Sequence, residues 1–170
     1  MAQILLARHG ETDWNRNGRV QGHTDIPLNA AGIAQAQALA ERLAGEPLVA
    51  VFASDLERAR VTAAAVAARH GLPVSIDPDL REKNFGTWEG LTDLEIRERF
   101  PDAKRGAWGD GETTGDVAER VVAALERVRR EHPDALVLVV AHGGPLRAAL
   151  AHFGIEHGPI GNCDVFRVDA

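Results

Sequence analysis

Two histidines and two arginines of this 170-residue chain stand just after apolar runs, and together they could move a phosphoryl group. Arg8-His9-Gly10-Glu11-Thr12 follows the first run, Ser54-Asp55 follows a second with Arg58 one turn further on, and His142-Gly143-Gly144 follows a third. A guanidinium fork matches phosphate oxygens two at a time and stays charged at every relevant pH. An imidazole that is neutral near pH 7 can attack phosphorus, provided its other nitrogen donates to a fixed acceptor that selects the tautomer. His9 and His142 are the candidates for that role. Gly143 and Gly144 would let backbone N–H groups at a helix N-terminus face an anion at close range.

These residues can meet only if the apolar runs lie side by side. Short apolar runs alternate with longer segments of helical periodicity, which argues for α/β layering around a largely parallel sheet. In such sheets ligands bind beyond the carboxyl ends of the strands, where the histidines and arginines fall. Strands are expected at 3–7, 48–53, 74–76, 135–141 and 164–168, the fourth being the most apolar and therefore central. Helices are expected from Asn29, as N-cap, to about Ala44; from a capping box at Ser54-Asp55-Leu56-Glu57 to about His70; near 92–99; at 116–131; and from Gly143 to about Phe153 with Pro145 in its first position. Residues 77–114 are polar, glycine-rich and bear tryptophan, the composition of a small lid on a single domain spanning 1–170.

The composition narrows the functional classes. Hydrophobic residues make up 45% and charged residues 26%, the balance of a globular protein rather than a disordered one. A formal net charge of -6 argues against nucleic acid as a partner, so an anionic ligand needs a locally positive pocket. No apolar run approaches the roughly 20 residues a spanning helix requires, and the first residues carry no secretory pattern, so no membrane partner and a cytoplasmic location are expected. Cys163 is the one cysteine; it can form no internal disulfide, leaves no cysteine-based metal cluster, and reads as a small buried side chain.

Four blocks in order resemble the histidine phosphatase superfamily, the phosphoglycerate mutase-like group. They are Arg8-His9-Gly10-Glu11-Thr12 with Asn15; Ser54 to Ala59 with Thr62; Leu80-Arg81-Glu82 through Phe85-Gly86-Thr87-Trp88-Glu89-Gly90; and Val140-Ala141-His142-Gly143-Gly144. The resemblance runs from residue 4 to about 165, with Ala141 standing where many relatives carry Ser or Thr. It implies a three-layer α/β/α sandwich and a phosphomonoester phosphatase acting on a small phosphorylated metabolite without metal or cofactor. His9 is then the nucleophile that becomes phosphohistidine, Arg8, Arg58 and His142 hold the phosphoryl oxygens, and Glu82 protonates the leaving oxygen and later activates water. A bound dianion beside that carboxyl would favour its protonated form. Asn15 matches a residue lining the phosphate pocket, and Gln21 and Asn162 are added to that lining. Small relatives often form a homodimer, and no surface stripe here decides the matter.

Several alternatives stay open at this stage. Glu11 and Glu89 are neighbouring carboxylates that could replace Glu82, which ranks first. Glu112 either supports the substrate region or merely precedes a helix cap. Trp88 reads as a loop anchor, and Trp108 as an anchor that could touch a leaving group. His23, His70, His132, His152 and His157 read as surface, helix-terminal or loop residues. A cofactor-dependent phosphoglycerate mutase would use the same His9 but return the phosphoryl group to a hydroxy acid. Glu82 and His142 stand only 60 positions apart, leaving a smaller lid than such mutases carry, and the basic pair Lys104-Arg105, in a loop, is a poor carboxylate clamp. A non-catalytic phospholigand-binding module is a third reading, disfavoured because nucleophile and acid are both present.

Overall fold

A computed structural model describes residues 2–103 and 108–169, so Lys104-Arg105 lies outside the described residues. Strands β1 (Gln3–Arg8), β2 (Leu48–Ala53), β3 (Val74–Ile76), β4 (Leu136–Ala141) and β5 (Val165–Asp169) form one sheet in the order β3-β2-β4-β1-β5. All neighbouring pairs are parallel except β1 with β5. The helices are α1 (Asp13–Arg16), α2 (Ala30–Arg42), α3 (Glu57–His70), α4 (Asp93–Arg99), α5 (Thr114–Glu131) and α6 (Gly143–His152). Every residue of β4 is buried, as its uninterrupted apolar run requires of a strand covered on both faces.

The two-residue period of the strands sorts the core into two halves. Ile4, Leu6, Val137 and Val139 face α5 and α6, where Val117, Val121, Leu125, Leu146 and Leu150 meet them. Leu5, Ala7, Leu138 and Val140 face α2 and α3, where Leu39, Ala40, Ala59, Ala63 and Val66 meet them. The result is the expected α/β/α sandwich with a mostly parallel sheet. Alanines at four-residue spacing on α3, Ala59, Ala63 and Ala67, bring that helix's backbone close to the sheet.

Differences from the sequence expectations have local causes. Ser54 does not cap α3: its N-cap is Leu56, without a side-chain bond, and the Ser54 hydroxyl turns instead to His142. Pro145 occupies the third rather than the first position of α6, because His142 is the N-cap. A single helical turn, α1, was not expected from periodicity; Thr12 and Asn15 close it with a reciprocal capping box. Asn29 behaves as expected, accepting from the Gly32 N–H, and Gly71 ends α3 in the left-handed region at φ 64°.

The described part of the 77–114 segment is anchored at many points. Arg81 pairs with Asp55, Arg127 with Asp77 and Asp79, and the Asp110 carboxylate accepts from the Thr87 amide and hydroxyl. Trp88 is buried, stacked on Phe100 and edge-on to Trp108. Gly109 has φ 83°, and a Cβ there would sit 2.7 Å from the Phe85 carbonyl oxygen, so only glycine lets these two stretches cross.

Candidate active site

The sheet order explains the site. β2, β4 and β1 are adjacent, and at their carboxyl ends the Ser54 amide donates to the Val140 carbonyl (3.3 Å) and the His9 amide to the Ala141 carbonyl (3.1 Å). Ser54, His142 and His9 are thereby set side by side. The two imidazole rings are 5.0 Å apart at a tilt of 56°.

His9 is 2% exposed, and its Nδ1 lies 2.7 Å from the Gly10 carbonyl oxygen. A carbonyl only accepts, so Nδ1 carries the proton and Nε2 keeps its lone pair. Burial first, then the nearby Arg58 and Arg8 charges, hold its pKa well below the ordinary histidine value. His142 is fully buried and its pKa is lowered in the same way, by burial and then by Arg58. Its Nε2 lies 2.6 Å from the Ser54 hydroxyl. With the hydroxyl donating, Nδ1 carries the proton and becomes a donor.

Arg58 has no exposed surface, and its guanidinium donates to the carbonyls of Thr24 (2.9 Å) and Gly22 (2.7 Å). Burial lowers it to about 10, which leaves it cationic near neutrality. Arg8, also lowered by burial, donates to the Ile160 carbonyl at 2.6 Å. Arg8 Nε, Arg58 Nε and His142 Nδ1 are buried without a partner among the described residues. Three orphaned donors in one neighbourhood are costly unless something accepts from them, and phosphoryl oxygens fit that need.

A cavity of about 160 Å³, room enough for a phosphoryl group, is lined by Arg8, His9, Asn15, Gln21, Arg58 and Glu82, while His142 is not part of the lining. Beside it opens a larger cavity of about 830 Å³ between α5, α6 and the 82–85 and 108 stretches. Glu82 and Phe85 line both. A carboxyl at that junction stands where the bridging oxygen of a phosphomonoester would pass from one cavity to the other. Glu82 accepts from the amides of Lys83 (2.8 Å) and Gly144 (3.1 Å).

The remaining expectations divide. Asn15 and Gln21 line the small cavity, and the Thr12 hydroxyl ties Gln21 at 2.6 Å. Asn162 is not part of that lining; its amide donates to the His9 carbonyl (3.0 Å) and to Asn15 Oδ1 (3.3 Å), bracing both. Gly143 is buried at the start of α6, while the Gly144 N–H is already engaged by Glu82. Glu11 is bound by Asn29 and Arg16, and Glu89 by the amides of His23, Thr24 and Phe85, so both serve loop structure. Glu112 supports the site from behind through Arg120, and its pKa is lowered because the Arg120 bonds and the Asn84 amide outweigh its burial.

Arg120, which carries no motif, and His23 and Thr62, to which the sequence assigned no role in the site, complete the frame. Arg120 donates to the carbonyls of Asp79 (2.7 Å), Arg81 (2.7 Å) and Glu82 (3.0 Å), and the His23 Nε2 reaches the Glu82 carbonyl at 2.9 Å. Thr62 accepts from the Gly10 amide (3.0 Å) and donates to the Arg58 carbonyl (2.7 Å). The sequence carries no signal for these bonds, because each engages backbone supplied by a remote part of the chain.

Comparison with known proteins finds relatives along nearly the whole chain. A metal-independent phosphoserine phosphatase from Arabidopsis thaliana is 42% identical over 159 residues, covering 87% of this chain and 67% of that protein. Among solved structures, Bacillus stearothermophilus YhfR superimposes with a TM-score of 0.91 at 33% identity, covering 99% of this chain and 91% of that one. A mycobacterial glucosyl-3-phosphoglycerate phosphatase in complex with VO3 does so with a TM-score of 0.85 at 35% identity, covering 97% and 90%. The family profile described as histidine phosphatase superfamily, branch 1, matches residues 4–169. With paired imidazoles and buried guanidiniums at the exits of adjacent strands and a profile match along the described fold, the chain belongs to the histidine phosphatase superfamily.

Proposed function

We propose that this protein is a metal-independent phosphatase that hydrolyses a small phosphomonoester through a phosphohistidine at His9. The observation that carries the reading is the pair of abutting cavities, one fitted to a phosphoryl group and one to an alcohol, with Glu82 at their junction. The relatives named as phosphatases support it.

In the first step the His9 Nε2 lone pair attacks phosphorus in line, the P–O bond to the alcohol breaks, and protonated Glu82 gives its proton to the departing oxygen. The His9 Nδ1–H bond to the Gly10 carbonyl stabilises the positive charge that forms on the ring. Arg8, Arg58 and the His142 Nδ1–H hold the equatorial oxygens, so stabilisation of the transferring group comes from fixed side chains. In the second step the Glu82 carboxylate takes a proton from water, the hydroxide attacks phosphorus, the N–P bond breaks, and phosphate leaves with His9 neutral again. Asn15 and Gln21 complete the wall, and Asn162 holds the His9 backbone in line.

Release of phosphate from p-nitrophenyl phosphate, measured with and without EDTA, tests the scheme. Chelator-resistant release is expected, together with acid-labile, base-stable phosphate on the protein after a quench. Chelator-sensitive release, or turnover without a trapped phosphoenzyme, would contradict it.

A further inference from the structure

The larger cavity has a chemistry of its own. Its volume of about 830 Å³ exceeds what a serine- or glycerate-sized alcohol fills and lies in the range of pockets for drug-sized ligands, roughly 300–1,000 Å³. Its walls are mostly apolar, with Val117 and Val122 from α5, Ala148 and Ala151 from α6 and the rings of Phe85 and Trp108, and Thr114 and His152 as polar edges. The alanines give the space its width, since larger side chains at those α6 positions would fill it. Such a surface rewards an apolar body and offers little to a polyhydroxylated one.

Two cations interrupt that surface. Lys83 follows the junction residue Glu82, is 8% exposed, and among the described residues has no ion pair or side-chain hydrogen bond; the Phe85 ring lies 5.5 Å from its ammonium. Asp116 is near enough to feel its charge, but that carboxylate is already engaged by the Thr113 amide and hydroxyl, both at 2.8 Å. Arg147, one turn into α6, folds back toward Gly143, where a Cβ would lie 3.4 Å from its guanidinium, and has no ion pair among the described residues. A largely buried ammonium without a direct ion pair is unfavourable, and an anion delivered by a ligand relieves it.

We propose that the leaving alcohol has a bulky apolar, preferably aromatic, body and carries a second anionic group of carboxylate type held by Lys83, with Arg147 contributing to the same field. This rests on the phosphatase reading and narrows its substrate class. The apolar body lies between α5 and α6 against Phe85 and Trp108, the phosphoryl group occupies the small cavity, and the carboxylate turns back toward the two cations.

Benzyl phosphate and 3-carboxybenzyl phosphate test this, because their leaving alcohols differ little in acidity. The wild-type kcat/KM should be at least about tenfold higher for the carboxylated ester, the worth of one hydrogen bond to a charged group. It should also exceed that for phosphoserine. Lys83→Met should bring the carboxybenzyl-to-benzyl ratio close to one, and Arg147→Met should lower it part of the way. Because the readout is a ratio within each protein, a general loss of folded enzyme does not mimic it. Hydrolysis of p-nitrophenyl phosphate with a wild-type ratio at or below one, with phosphoserine preferred, or with a ratio kept by both variants, overturns this inference alone. Failure to hydrolyse any ester, p-nitrophenyl phosphate included, overturns the phosphatase reading and this inference with it.

Discussion

At the scale of single residues, the site depends on which nitrogen of each imidazole holds a proton. His9 donates through Nδ1 to the carbonyl of the next residue, so its nucleophilic lone pair is assured by a contact that neighbouring backbone cannot easily lose. His9→Ala should remove turnover by at least about 10⁴-fold and abolish the trapped phosphoenzyme, since a positioned nucleophile has no substitute here. Glu82→Gln should separate substrates by leaving group. Activity on benzyl phosphate should fall roughly 10²- to 10⁴-fold, whereas p-nitrophenolate departs without a proton and should be affected far less. Equal losses on both esters would remove Glu82 from the role of acid. Ser54 is the residue whose type misled: a serine followed three positions later by glutamate reads as a capping box, yet its hydroxyl is used to orient His142.

At the scale of elements, α5 serves the chemistry without touching it. Arg120, on the α5 face turned toward the 77–82 stretch, grips the carbonyls of Asp79, Arg81 and Glu82 and the Glu112 carboxylate, and so fixes the backbone that carries the acid. Arg120→Met should therefore reproduce the leaving-group signature of the Glu82 variant in weaker form, with about a tenfold greater loss on benzyl than on p-nitrophenyl phosphate. A merely structural residue would depress both alike. The entry to β5 is a second such device. Cys163 has φ 58°, rare for a residue with a side chain, and its amide donates to the carbonyls of Arg8 (3.0 Å) and His9 (3.4 Å). Burial raises its thiol to about 11, so the cysteine acts as a small apolar filler. Cys163→Val should destabilise the fold by roughly 1–3 kcal/mol in urea melts, because a branched side chain is disfavoured at that dihedral.

At the scale of the whole molecule, burying two neutral imidazoles beside two guanidiniums ties folding to pH. The folded pKa values of His9 and His142 are depressed, while an unfolded histidine titrates near 6.5. Below about pH 6.5 the unfolded chain gains protons that the folded one does not, so stability should fall as pH drops, by up to about 1.4 kcal/mol per pH unit for each imidazole. Carboxylates whose pKa is lowered by arginine bonds, such as Asp55 beside Arg81, lose their contribution in the same direction but in a more acidic window. Urea melts between pH 7.5 and 5.5 should show the slope. A flat profile would mean that the imidazoles are not buried neutral.

The order of strands and helices, and the placement of His9, His142 and Arg58 near strand exits, are determined by the sequence itself. Apolar periodicity and strand-end polarity are local properties, readable wherever burial imposes them. What only the tertiary structure decides is everything that joins distant segments through backbone: Ser54 with His142 across 88 residues, Arg120 on the Glu82 loop, Asn162 on the His9 carbonyl, and the cavity between α5 and α6 that Lys83 enters. A main-chain carbonyl is the same in every residue, so a side chain that binds one leaves no mark on the residue types at the far end. The chemistry of the phosphoryl pocket could thus be read from side chains in order, while its rigidity and its fit for a particular alcohol depend on how the layers meet.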